Sequence, residues 1–243
     1  MKIAVLGATS IVGLTICKEL AKDNEFFLVG RNAKTLEAAC TECRLAGAVS
    51  AVAIEADLLS NSDSIISQLS NGRVDIFVNA SSALSRLYDD DLSAQEFSDY
   101  AQVEILRPVE IVLALSDQAM RESRDLTVVF ISTTLAVVSS PNRIVYGTMK
   151  RLHEVVLREL RADDPCMRMI IVRIGTRISR EKETAIARGI GRTVFRAVSR
   201  GRSGVYTYGL AGRILVTAFW VQPIICRLMV YLSRSIGRAK RTS

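Results

Sequence analysis

The chain has 243 residues, a net charge of +7, 49% hydrophobic residues, 14 Gly and only 4 Pro. That length can bury a sizeable core without staples, and the composition argues against a disordered or low-complexity polymer. Five scattered cysteines, an odd number, argue against a disulfide framework and suit a reducing compartment.

The basicity is uneven. From Arg177 onward there are 14 Lys and Arg against Glu181 and Glu183, a net of +12, which leaves −5 for residues 1–176. Nucleic acid is not the expected partner, because the basic segment lacks interleaved aromatics and abuts an apolar span.

In chain order, "KIAVL" at 2–6 predicts a strand. It begins at once, leaving no room for a signal peptide, so a cytoplasmic start is expected. "GATSIVG" follows as a Gly-containing turn, and "LTICKELAKD" as a helix. Gly7 and Gly13 bracket that turn, where small residues let a pyrophosphate approach the backbone and the helix N-terminus offers unpaired N–H groups to an anion. Thr9 and Ser10 can add hydroxyl donors.

"FFLVG" at 26–30 is the second strand and runs into "VGRN". Arg31 stands there where an acidic residue would hold a ribose 2′-hydroxyl; it is either a partner for a 2′-phosphate or an exposed loop arginine. A helix is expected over 33–46. Within it "CTEC" at 40–43 has zinc-like spacing, but no second pair exists and His153 is distant, so both cysteines read as packing and no metal site is expected. "AVSAVAIEADL" holds the third strand; Asp57 after it could accept from an adenine amino group or cap the next helix.

Further strands are expected in "VDIFVNAS", "LTVVFIST" and "CMRMIIVRIG", with helices over 61–71, 94–120 and 145–161. Strands apolar throughout and separated by helices predict an α/β fold: a doubly wound, Rossmann-like parallel sheet with helices on both faces. Ligands in such folds sit beyond the carboxyl ends of the strands. "IVYGTMK" begins the last of these helices and puts Tyr146 and Lys150 on one helix face.

The order "GATSxxG", "GRN", "EADL", "DIFVNAS", "FIST" and "YGTMK" resembles the short-chain dehydrogenase/reductases over residues 2 to about 180. The resemblance implies an NAD(P)-dependent oxidoreductase, with NADPH favoured by Arg31 and NADH still open. Tyr146 would be the acid/base towards a ketone, and Lys150 would acidify it; Thr133, thirteen residues earlier, would polarise the carbonyl, with Ser132 in reserve. Cofactor contacts would come from Gly7, Thr9, Ser10, Ile11, Gly13, Arg31, Asp57, Leu58, Ala80, Tyr146, Lys150, Gly175 and Thr176, and Ser179 falls at the family's threonine.

Three positions depart from the pattern: Ile11 and Ser82 replace glycines, and Glu104 replaces an asparagine that anchors a proton-relay water. Glu104 can hold a water or pair with Lys150. Such departures leave room for a weakened, NADPH-binding scaffold or sensor.

In "AIARGIGRTVFRAVSRG", Arg188, Arg192, Arg196 and Arg200 form one stripe and Ile186, Ile190, Val194 and Val198 another. A helix there either packs on the domain or lies beside an anionic substrate or lipid. Next, Ile214 to Leu232 carries one charge, Arg227, and both flanks are basic, so the segment is expected to be interfacial, with a buried helix or dimer contact as the alternative. The chain thus divides into a core at 1–180, a basic amphipathic lid segment at 181–209 and an apolar, membrane-associating tail at 210–243.

With this tail the chain resembles reductases of polyprenyl-phosphate-linked 2-keto-pentofuranose, which act in cell-wall arabinose supply. That implies a lipid-linked keto-sugar substrate at the inner face of the cell membrane. The alternative is a soluble reductase of another hydrophobic ketone. Homo-oligomers are expected in either case.

Overall fold

The computed structural model describes residues 1–60, 62–82, 92–138, 143–175, 183–210, 212–214 and 216–218. Strands β1 (Lys2–Leu6), β2 (Glu25–Gly30), β3 (Ser50–Glu55), β4 (Ile76–Asn79), β5 (Leu126–Thr133), β6 (Met167–Ile174) and β7 (Gly204–Tyr208) alternate with helices. These are α1 (Ile11–Glu19), α2 (Ala33–Leu45), α3 (Ser62–Gly72), α4 (Ala94–Ala101), α5 (Arg107–Arg121), α6 (Ile144–Asp163) and α7 (Glu183–Ser199). All strands pair in parallel in the order β3-β2-β1-β4-β5-β6-β7. The order reverses between β1 and β4, which opens a crevice at their carboxyl ends.

Alternation along each strand divides the core in two. Ile3 and Val5 of β1 join Ile16, Cys17, Leu36 and Val194 beneath α1, α2 and α7. Ala4 and Leu6 join Ile65, Ile111, Leu115 and Leu157 beneath α3, α5 and α6. Both faces are covered, which is why the central strands are mostly apolar.

The structure refines the sequence reading in three places. The helix expected over 94–120 is broken by a π-helical turn, Gln102–Leu106, between α4 and α5. The alternating stripes of α7 are resolved: Ile190 and Val194 are fully buried, α7 packs on α1, and Arg188, Arg192, Arg196 and Arg200 face solvent. Strand β7 is additional, its residues half-buried or exposed at the sheet edge.

Cys40 and Cys43 are buried in α2 close to Cys17, within the core beneath that face. Among the described residues no helix is long and apolar enough to cross a membrane. The apolar tail beyond residue 218 lies outside the described residues.

Candidate active site

Tyr146 sits in the first turn of α6, and two contacts fix where that turn goes. A Cβ on Gly147 would lie 2.6 Å from the Leu135 carbonyl oxygen, so only glycine lets α6 press onto the 3-10 turn Thr134–Ala136 that follows β5. Arg151 then donates from Nε to the Ala136 carbonyl at 2.6 Å and from its terminal nitrogen to that of Val137 at 3.1 Å. The clamp brings the end of β5 towards the phenol, and the Thr133 hydroxyl, which donates to the Ile174 carbonyl at 3.4 Å, is near enough to Tyr146 to influence its pKa.

Ser132 faces the other way, because successive strand residues point to opposite sides. Its hydroxyl donates to Glu154 Oε1 at 2.7 Å, and Glu154 is gripped by Arg173, whose Nε lies 2.9 Å from the same oxygen. The reserve role expected for Ser132 is therefore corrected: its hydroxyl belongs to a buried clamp between β5, α6 and β6. Burial of Glu154 and Arg173 was not foreseen, since neither stands out in sequence.

Lys150 lies one turn beyond Tyr146 and is 2% exposed. Its Nζ is 2.7 Å from Glu104 Oε2, 3.5 Å from the Ser81 carbonyl oxygen and 6.0 Å from the centre of the Tyr146 ring. Of the two possibilities for Glu104, pairing with Lys150 is the one realised. The π-helical turn carries Glu104 inward, and Ser82 Oγ donates to its Oε1 at 2.9 Å. Ser82, a departure from the glycine pattern, thus has a partner that glycine could not provide.

Burial favours the neutral amine of Lys150, but the charges of Glu104 and the Tyr146 phenolate outweigh it and hold the ammonium pKa above its ordinary value. For Tyr146, burial raises the pKa first; Lys150 lowers it, Glu104 raises it, and Arg143 and the nearby Thr133 hydroxyl lower it, with a net rise. His153 stacks on Phe130 at 4.1 Å between centroids, and burial with the Lys150 charge pushes its pKa down to about 4. The neutral imidazole donates from Nδ1 to the Glu104 carbonyl at 2.5 Å.

The crevice between β1 and β4 has the form of a nucleotide cradle. Gly7 has φ +79°, and a Cβ there would lie 2.7 Å from Ser81 N, so β1 and the β4 loop touch backbone to backbone. A Cβ on Gly13 would collide with the Gly7 carbonyl oxygen. Ser10 caps α1 by accepting from Gly13 N at 3.0 Å, and no acidic residue occupies the first turn, so the helix N-terminus is electrostatically open to a phosphate. Thr9 is exposed beside Gly30, and Ile11 is 44% exposed at the helix mouth.

Arg31 is exposed, with no carboxylate within ion-pair distance among the described residues. Asp57 accepts from Leu59 N at 3.0 Å and so shapes its own turn, while Leu58 is buried below it. Ala80 and Ser81 line the crevice after β4, where the Asn79 side-chain nitrogen is buried with no hydrogen-bond partner among the described residues. These features fit a dinucleotide: a glycine cradle, an open helix N-terminus and, among the described residues, an unsatisfied amide and an unpaired cation at the second strand.

Gly175 closes the far side. A Cβ there would lie 2.6 Å from Gly212 Cα, so the helical residues 212–214 are seated against the end of β6 and Thr134. Thr176 and Ser179 lie outside the described residues.

Comparison with known proteins agrees with the fold. A family profile described as short chain dehydrogenase matches residues 1–173. Among solved structures, a short-chain dehydrogenase from Streptomyces avermitilis is 17% identical, with 98% of each chain covered and a TM-score of 0.80. A short-chain dehydrogenase from Sphingobium yanoikuyae in complex with NADPH is 15% identical, covering 95% of this chain and 94% of its own, with a TM-score of 0.76. An alternative dihydrofolate reductase from Brucella suis in complex with NADP is 19% identical, covering 88% and 95%, with a TM-score of 0.75. The search of curated proteins gave no match. The chain belongs to the short-chain dehydrogenase/reductase family of NAD(P)-dependent oxidoreductases.

Proposed function

We propose that the protein is an NADPH-dependent reductase of a ketone, with Tyr146 as proton donor. The observation that carries this reading is the convergence of Tyr146, Lys150 and the Thr133 hydroxyl at the carboxyl end of β5, beside a glycine cradle with Arg31 at its rim. Bound NADPH would supply the hydride for the carbonyl carbon. Thr133 orients and polarises the carbonyl oxygen by hydrogen bonding, and Tyr146 passes its phenolic proton to that oxygen. Lys150 stabilises the phenolate left behind. Arg31 reads the 2′-phosphate, and the N–H groups at the start of α1 hold the pyrophosphate.

The substrate in this reading is a keto-sugar carried on a polyprenyl phosphate, and the protein docks on the inner face of the cell membrane. Two features support it. The apolar tail sets out from the rim of the site, where Gly212 is seated against Gly175, and α7 presents four arginines to solvent. Homo-oligomerisation is supported by exposed Leu106, Leu113 and Met120 around α5 and Leu152 and Val155 on α6.

The test has two arms. Nicotinamide fluorescence should report NADPH binding tighter than NADH. Tyr146→Phe should leave that affinity near wild type while turnover of a ketone panel falls by about 10²- to 10⁴-fold. Unchanged turnover would sink the assignment of Tyr146. For the membrane, a chain lacking residues 219–243 should leave membrane fractions.

A further inference from the structure

Beside the phenol lies a charge that reduction of a ketone does not in itself require. Glu104 is buried, its Oε2 is 2.7 Å from Lys150 Nζ, and Ser82 holds its other oxygen at 2.9 Å. The placement is built rather than incidental: the π-helical turn Gln102–Leu106 carries Glu104 inward, and His153 grips the Glu104 carbonyl from α6.

Among the described residues, the groups that face Tyr146 come from several elements. Lys150 and Arg143 lie along α6 and at its start, Glu104 on the π-helical turn, Thr133 at the end of β5, and Tyr100 of α4 packs in the same cluster. Farther along α6, His153 is a neutral imidazole and Glu154 is tied to Arg173. Burial is the largest influence on the phenol, and among the described residues Lys150 and Glu104 are the charges that act on it most strongly.

A bare ammonium beside a phenol acidifies it. An ammonium with a carboxylate at contact distance is a short dipole, whose field at the phenol is much weaker than that of a lone charge. We propose that Glu104 is a positioning residue that offsets part of the Lys150 charge and so favours the protonated phenol of Tyr146, setting the site to give a proton to a carbonyl rather than to take one from an alcohol. This rests on the reading of Tyr146 as the acid/base. It deepens that reading by assigning a direction: ketone reduction persists to high pH, whereas alcohol oxidation, which needs the phenolate, waits for alkaline pH.

The proposal is tested on the full-length protein without cofactor or substrate. Phenolate absorbance is read immediately after a pH jump, before alkaline unfolding, and the signal of a Tyr146→Phe background is subtracted to isolate Tyr146. Glu104→Gln should move the Tyr146 midpoint down by about one pH unit or more. Glu104→Asn should do the same and serves as the second variant if Glu104→Gln does not fold, with circular dichroism as the folding check. A midpoint equal to wild type, or higher, in a folded variant would overturn the proposal. An absence of ketone turnover in the wild type would overturn the functional reading and leave the titration result standing.

Discussion

The two faces of the sheet solve different problems with the same strands. Beneath α1, α2 and α7 the core is apolar, with Ile3, Val5, Leu28, Ile190 and Val194 fully buried and the cysteines behaving as small hydrophobes. Beneath α3, α5 and α6 the apolar core gives way, towards the carboxyl ends of the strands, to buried Lys150, Glu104, His153, Glu154 and Arg173. Each of these charges has a close partner, as burial demands. One face is apolar, and the other accommodates buried charges by pairing them.

Mutations can break or sharpen this contrast. Lys150→Ala strips Glu104 of its counter-ion and should cost about 3–5 kcal/mol in urea unfolding. A loss under about 1 kcal/mol would mean that solvent already reaches the pair. The next largest effect is a pH dependence. His153 is held at about 4 against its ordinary 6.5, so between those values the unfolded chain binds a proton that the folded chain refuses. Stability should be complete above about pH 6.5 and fall by about 3 kcal/mol as the pH drops through that window. His153→Asn should flatten this limb of the unfolding curve, and an unchanged limb would assign it to another group. The smallest effect belongs to the opposite face: Ile190→Val should cost about 0.5–1.5 kcal/mol and leave the Tyr146 titration unmoved. A shifted titration would show that the faces are coupled.

Much of the fold was legible, because buried parallel strands such as "KIAVL" and "LTVVFIST" are continuous apolar runs. Strand β7 was not, since "GVYTY" lies at an edge and carries no such run. The π-helical turn was invisible for another reason: one extra residue in a helix leaves no compositional mark. In the candidate site, Tyr146, Lys150 and Thr133 were picked out by spacing within a recognised pattern, and Tyr146 and Lys150 lie one turn apart on α6. Sequence left two possibilities for Glu104, and the inward turn of the backbone decides between them. Ser132 was read by its proximity in sequence, whereas strand alternation sends its hydroxyl to Glu154.

The contact between Gly175 and Gly212 has a practical consequence. Because neither position has room for a side chain, Gly212 packs directly on the carboxyl end of β6 and Thr134, at the edge of the candidate site. Trimming the apolar tail to improve handling of the protein should therefore stop after residue 218. A cut at 210 would uncover the end of β6 and Thr134, and a loss of turnover in such a truncation would report an uncovered edge of the site rather than a missing anchor.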